Sequence, residues 1–363
     1  MTTTRDTAGG PLLLRAASQA VTLTPRSLDV QVRVGRPVQP SGADGAVPCV
    51  LVLTRTADRE IDDLSLRLTA EGVVLLRLDS DRCAGLALEW HPSTGVVVTD
   101  EGAFAPRVRW LRYFAPEAVG AGRDDVAGGS VLARYLADQW AALAPALGAG
   151  GGGRAAQLNQ GTGPGAPDRL RQLDAARAVG LRVPATVVTT QPAEAGRHLP
   201  GPGDVVVKAL GPHAVEHRPG CLRGVFPRRL PRRELAACAP EPAPVLVQEH
   251  VAAPRELRVF LVGRRLVAYA VEKPSVDAEW DRPRDVRIHR AGRLPRRLAG
   301  ALRRLGRRFG LDVAAFDLLD AEGGPVFLEV NSACDWVWFE QVAGDRAVSD
   351  AVAALVLDRY RRS

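Results

Sequence analysis

Phe316-Asp317-Leu318-Leu319-Asp320-Ala321-Glu322-Gly323-Gly324-Pro325-Val326-Phe327-Leu328-Glu329-Val330-Asn331 is the stretch whose reading decides the fold. Two apolar runs flank an acidic, glycine-rich turn, the pattern of an antiparallel pair joined by a short loop. Glu329 and Asn331 are two positions apart and so leave the same face of their strand. Asp317 joins them only if it pairs opposite Glu329, and a slip of one residue would scatter the three. Two carboxylates and an amide oxygen on one wall form a hard-oxygen set suited to Mg²⁺, which keeps several waters and is completed by substrate phosphates. An edge hairpin with solvent-facing acids accounts for the same letters, so the hairpin alone leaves both readings open.

Composition narrows the field. A chain of 363 residues, 46% hydrophobic and 25% charged, has the length and content of a globular protein with two or three domains. No apolar stretch approaches the roughly 18 residues of a membrane span, and 11–21 is interrupted by Arg15, Ser18 and Gln19. Cys49, Cys83, Cys221, Cys238 and Cys334 are odd in number and lack C-x-x-C spacing, so neither a disulfide framework nor a zinc ribbon is expected, and a reducing cytoplasm fits. The net charge of +7 is spread over helix faces and loops without aromatic interleaving, which speaks against nucleic acid as a partner. Of the 48 basic residues only Lys208 and Lys273 are lysines. In a chain that otherwise uses arginine, a point charge on a flexible stem calls for an explanation.

Residues 1–46 carry Thr, Gly, Pro and Ser clusters and read as a poorly ordered extension, with Val30, Val32 and Val34 alternating as in one strand. From Cys49 the pattern turns to strand, helix, strand: an apolar run over 49–53, a helix over 57–70 stopped by Gly72, and a second run over 73–78. Further strands are expected over 86–90, 95–98 and 107–111, then a helix over 131–147 running into a glycine joint at 148–153. A short helix follows Arg169, burying Leu170, Leu173 and Ala176 and ending at Gly180, with Pro184 opening an extended run. The apolar strand Val205-Val206-Val207-Lys208 delivers a lysine to its end ahead of a Gly, Pro and His loop, which suits an ammonium set against phosphate oxygens. His213 and His217 in that loop have metal-ligand spacing but no third ligand. Gln248-Glu249-His250-Val251 closes a run begun at Val245, and 256–269 reads as a hairpin turning at Gly263-Arg264 that leaves Arg258 on a defined face. The helix carrying Leu298, Leu302, Leu305 and Phe309 is amphipathic and structural.

Taken in order, these elements resemble an ATP-grasp ligase over roughly residues 48 to 355. The matching motifs are Trp110-Leu111-Arg112; the run from Arg169-Leu170-Arg171-Gln172-Leu173 to Gly180-Leu181-Arg182-Val183-Pro184-Ala185-Thr186; Lys208; Gln248-Glu249; Asp285-Val286-Arg287; and the hairpin. Trp336-Val337-Trp338-Phe339-Glu340 adds a likeness to the microviridin-type, or graspetide, peptide maturases. There Trp336 and Trp338 share a face if the segment is extended, though two core tryptophans explain the same letters.

The resemblance implies an α/β and α+β chain with the ATP-grasp fold. A pre-ATP-grasp domain would cover 47–150, a central lobe 155–245 and a C-terminal catalytic lobe 246–363. It implies ATP and Mg²⁺ as cofactors. Arg169, which stands where the family has Lys, would meet nucleotide together with Lys208, Gln248, Glu249 and Val251. Asp317, Glu329 and Asn331 would hold metal, and Arg258 and Arg287 would face the transferred phosphate or the activated carboxylate. The implied reaction activates a carboxylate as an acyl phosphate and joins it to a hydroxyl or amine. The implied substrate is a ribosomal precursor peptide with a leader and an acidic core, with no membrane partner, and a homodimer is compatible. A free amino-acid or peptide ligase of the same fold and a nucleotide-binding regulatory module without turnover are the alternatives.

Overall fold

The computed structural model describes residues 20–22, 45–119, 130–150, 155–160, 168–211, 214–218, 221–224, 227–273 and 286–363. Most of 1–46, including Val30, Val32 and Val34, lies outside the described residues, as do His213, Asp285 and much of the glycine joint.

The first sheet has the order Val74–Asp79, Val47–Thr54, Gly102–Leu111, Val97–Thr99, Leu88–Trp90, with Ala156–Leu158 paired to the far end of Gly102–Leu111. Val47–Thr54 runs parallel to both its neighbours. A parallel strand is covered on both faces, which is why Cys49 to Leu53 reads as an unbroken apolar run. Helix Arg59–Ala70 covers one face with Ile61, Leu64 and Leu68, and helix Val131–Ala149 covers the other with Ala144 and Leu147.

A four-stranded antiparallel sheet, ordered Arg228–Leu230, Val205–Ala209, Val245–Glu249, Thr186–Thr189, packs Val205, Val207, Val245 and Val247 against Ala195, Leu199 and Leu235. Strand parity sends Lys208 and Gln248 to its opposite face. In a separate sheet, Ala214–Arg218 and Cys221–Gly224 form a hairpin with Ala20–Thr22 added at its edge.

The largest antiparallel sheet is ordered Arg287–Arg290, Arg265–Glu272, Arg255–Val262, Val313–Leu319, Val326–Asn331. The Arg255–Val262 and Arg265–Glu272 strands turn at Gly263, whose φ of +58° a side chain would resist. One face carries Val259, Leu261, Phe316, Phe327 and Val330 under helices Arg169–Ala178 and Arg296–Arg308. Leu173 and Ala176 are buried there as expected, whereas Leu170 stays 37% exposed because it lies off the stripe facing the sheet. The other face carries Phe260, Val262, Tyr269 and Val313 under the final helix Ala347–Arg362. That layer is continuous with the Val50, Val52 and Trp110 face of the first sheet, so one core joins the two.

Candidate active site

The strand pairing decides the site. Asp317 lies opposite Glu329, and Ala315 opposite Asn331. Leu318 then pairs with Phe327, so Leu328 is an extra residue in a bulge next to the cluster. The neighbouring strand sets Arg258 opposite Asp317. Parity places Glu256, Arg258, Asp317, Glu329 and Asn331 on one face, the same face that further along carries Phe260 and Val313.

These groups bind one another. Arg258 Nη1 donates to both oxygens of Asp317 at 2.6 Å. The Asn331 amide donates to Asp317 Oδ2 at 2.8 Å and to Glu329 Oε1 at 3.5 Å. Arg169 Nε donates to Glu329 Oε2 at 3.2 Å, while its Nη1 donates to the carbonyls of Ala209 and Gly211 beyond Lys208. Arg169 therefore ties the end of the Lys208 strand to the acidic wall. Lys208 lies close enough for the charges of Glu329, Asp317 and Glu256 to act on it, but burial outweighs them and lowers its pKa. Burial likewise pushes Asp317 up to about 6 despite Arg258. Glu329 resists the same burial, because Arg169 and Lys208 hold its pKa below the usual carboxylate value.

The donor set fits a hard divalent cation: two carboxylates and one carboxamide on a single wall, with cations around them that neutralise the acids. Asn331 turns its NH₂ to the acids, and a ligand role would present its oxygen instead, a rotation of one amide. No cluster of three or more His, Cys, Asp or Glu suited to a metal occurs among the described residues, so this amide is what completes the set.

The other expected residues divide. Gln248 is buried on the Lys208 face and donates to Thr186 Oγ1 at 3.0 Å. Glu249 Oε1 accepts the Ala185 N–H at 2.9 Å, and Val251 is half-buried in the segment that leads to Arg255–Val262. Arg287 is not brought to the wall. It is exposed, pairs with Glu272 and sits one position from Ile288, which is buried on the wall's own face, so parity turns Arg287 to the other side. Spacing in a motif is local, whereas the face a residue takes is set by pairing.

Two groups were missed by sequence reasoning. Lys273 pairs with Glu256 at 3.0 Å, both side chains largely buried, so both lysines of the chain stand at this one cleft. Only the pairing of Arg255–Val262 with Arg265–Glu272 brings Lys273 beside Glu256. The second is the environment of Arg112. Its guanidinium is fully buried and donates to Asp58 at 2.7 Å and to the Cys334 carbonyl at 2.8 Å. The rings of Trp110, Tyr113 and Trp336 surround it.

Trp336 and Trp338 do not share an extended face, because helix Val337–Ala343 begins between them. Trp336 is buried and bonds Ser349 Oγ through its indole N–H, and Glu340 caps the final helix by accepting the N–H groups of Val348 and Ser349.

No family model matches the chain. A probable alpha-L-glutamate ligase of Picosynechococcus sp. is 29% identical over 187 residues, 49% of this chain and 59% of that protein. The chain thus spans less than two thirds of that relative's length. The solved structure of a macrocyclase bound with a precursor peptide, from Microcystis aeruginosa MRC, superposes with a TM-score of 0.68 at 20% identity, covering 85% of this chain and 99% of the other. A RiPP-associated ATP-grasp ligase of Chryseobacterium gregarium, in complex with ADP and a leader and core peptide, gives 0.66 at 20% identity over 86% and 97%.

The chain has the ATP-grasp fold. Within that fold the acidic wall and the Lys208 strand belong to two different sheets, joined across the cleft by Arg169.

Proposed function

We propose that this chain is an ATP-dependent ligase that activates a carboxylate as an acyl phosphate and joins it to an amine or hydroxyl. Its substrate is a ribosomal precursor peptide with acidic side chains. The observation that carries this reading is the register that brings Asp317, Glu329 and Asn331 onto one wall, with Arg258 and Arg169 bonded to the acids and Lys208 across the cleft. In the resulting scheme 47–150, 155–245 and 246–363 are the three domains, although helix Arg169–Ala178 packs on the five-stranded antiparallel sheet.

Asp317, Glu329 and Asn331 would hold Mg²⁺, which supplies neutralisation of the phosphate charge. Lys208 and Arg169 bind phosphate oxygens, and the segment 248–251 borders the base. Arg258, held in place by Asp317, stabilises the charge that builds on the transferred group. Such a site positions and neutralises, and needs no covalent nucleophile of its own. ATP as cofactor and buried thiols at Cys49, Cys83 and Cys334 both suit a reaction in the cytoplasm.

Incubation with ATP, Mg²⁺ and a small acidic precursor encoded beside the gene should remove one water, about 18 Da, per bond formed, because each condensation discards an oxygen on phosphate. Intact-mass spectra read this directly. A gain equal to an added amino acid supports a free amino-acid ligase instead, and ATP binding without any product supports a regulatory module.

A further inference from the structure

The wall accounts for the phosphate and the carboxylate to be activated but leaves the attacking group unplaced. Asp335 is the exposed acid at that edge of the cleft. It lies four positions past Asn331, on the short turn between the Val326–Asn331 strand and helix Val337–Ala343, and its charge acts on Arg258. The turn is pinned from the first sheet's side. Arg112 donates to the Cys334 carbonyl at 2.8 Å, and Glu60 accepts the N–H groups of Trp336 and Val337, each at 3.0 Å. The side chain is pinned as well, since Tyr113 donates its hydroxyl to Asp335 Oδ1 at 2.8 Å. Burial first, and then the charge of Asp335 itself, push the Tyr113 pKa well up, so the phenol stays a donor. The Arg55 and Arg112 guanidiniums lie over its ring at 4.3 and 4.8 Å and fix its plane.

A carboxylate held in one orientation by a neutral donor, with its second oxygen open, is a receptor for a cation. Arg258, Arg169 and Lys208 would repel an incoming ammonium, and Asp335 is an acid outside the metal-holding wall whose charge acts on one of them, Arg258. A hydroxyl brings no charge for it to pair with.

We propose that Asp335, oriented by Tyr113, receives the attacking group as a primary ammonium, so that the bonds this chain makes are amides. This rests on the ligase reading above. The ammonium gives up one proton to solvent at the open Asp335 oxygen, and the freed nitrogen lone pair forms the N–C bond. The C–O bond to phosphate breaks with its electron pair on phosphate, which takes the second nitrogen proton as it leaves. No oxidant or reductant enters.

The test uses the full chain with the precursor that supports ADP release. Wild-type product should keep its mass loss in dilute base, where esters open and amides do not, and fragmentation should place every bond on a lysine or the N-terminal amine. Asp335→Asn should lower kcat/KM at least tenfold with amine-bearing precursor, leave ATP affinity and Tm unchanged, and narrow the preference over a Lys→Ser precursor. Tyr113→Phe should move the same ratio in the same direction by less. Base-labile bonds in wild-type product, or an Asp335→Asn chain that keeps its rate and its preference, overturn the assignment while leaving the ligase reading intact. Absence of any ADP release or mass loss in the wild type overturns the ligase reading first.

Discussion

Lys208 shows how much one side chain's placement depends on its surroundings. Its strand buries valines on one face, and parity turns the ammonium to the other, where burial lowers its pKa and the acids of the opposite wall pull the other way. Replacing it by alanine removes a charge-assisted partner of phosphate. Lys208→Ala should therefore weaken nucleotide binding by about 1–3 kcal/mol in calorimetry. Glu329→Gln should go further and stop ATP turnover with the fold intact, because it removes a hard ligand at a position where the core is not disturbed. Full turnover in a folded Glu329→Gln chain would remove the metal assignment. Arg169 would be read as a plain replacement of one cation by another, but its fork makes three bonds, to Glu329, Ala209 and Gly211, a geometry an ammonium matches less well.

At the level of elements, two buried acids act as helix caps from outside the helices they cap. Glu340 satisfies the first N–H groups of the final helix, and Glu60, from helix Arg59–Ala70, satisfies those of Trp336 and Val337. Burial raises the Glu60 carboxyl from 4.5 to about 7 against the pull of Arg112. The sign follows from linkage: a raised acid pKa means that the folded state holds the proton more tightly than the unfolded state. The contribution to stability is complete below about pH 4.5 and is lost as pH climbs through 7. Glu60→Gln has no proton to lose there, so its denaturation midpoint relative to wild type should improve between pH 5 and pH 8. The expected gain is on the order of 1–3 kcal/mol, since each tenfold difference in proton affinity between the folded and unfolded chain is worth about 1.4 kcal/mol. A difference that stays flat with pH would show that Glu60 ionises in the folded chain as freely as in the unfolded one.

On the scale of the whole molecule, the first sheet and the five-stranded antiparallel sheet share one apolar layer. Trp110 and Trp336 stack across it with centroids 6.5 Å apart and planes within 3°. The turn after Asn331 is thereby held by residues from the opposite end of the chain. Trp336→Ala should open a cavity in that layer and cost about 3–5 kcal/mol. Because the layer is continuous, the two sheets should melt together in one calorimetric transition at a lower temperature. Two separated transitions in the wild type would mean that the layer does not couple them. No helix among the described residues is long and apolar enough to cross a membrane.

By itself the sequence determined the elements whose pattern is local. The two apolar runs about the turn in 316–331, the unbroken run at 49–53, the amphipathic helix over Arg296–Arg308 and the turn at Gly263 are each written in neighbouring letters, and each is found. It also determined the condition for the site, that Asp317 stand opposite Glu329, without being able to meet it. Tertiary structure alone decided that pairing and the bulge at Leu328, turned Arg287 to the far face, set Lys273 beside Glu256, and folded Trp336 into a core shared with Trp110. The physical reason is the same in each case. Periodicity records which side of a strand a residue takes relative to its own neighbours, while the partner it meets is chosen by burial summed over strands far apart in the chain.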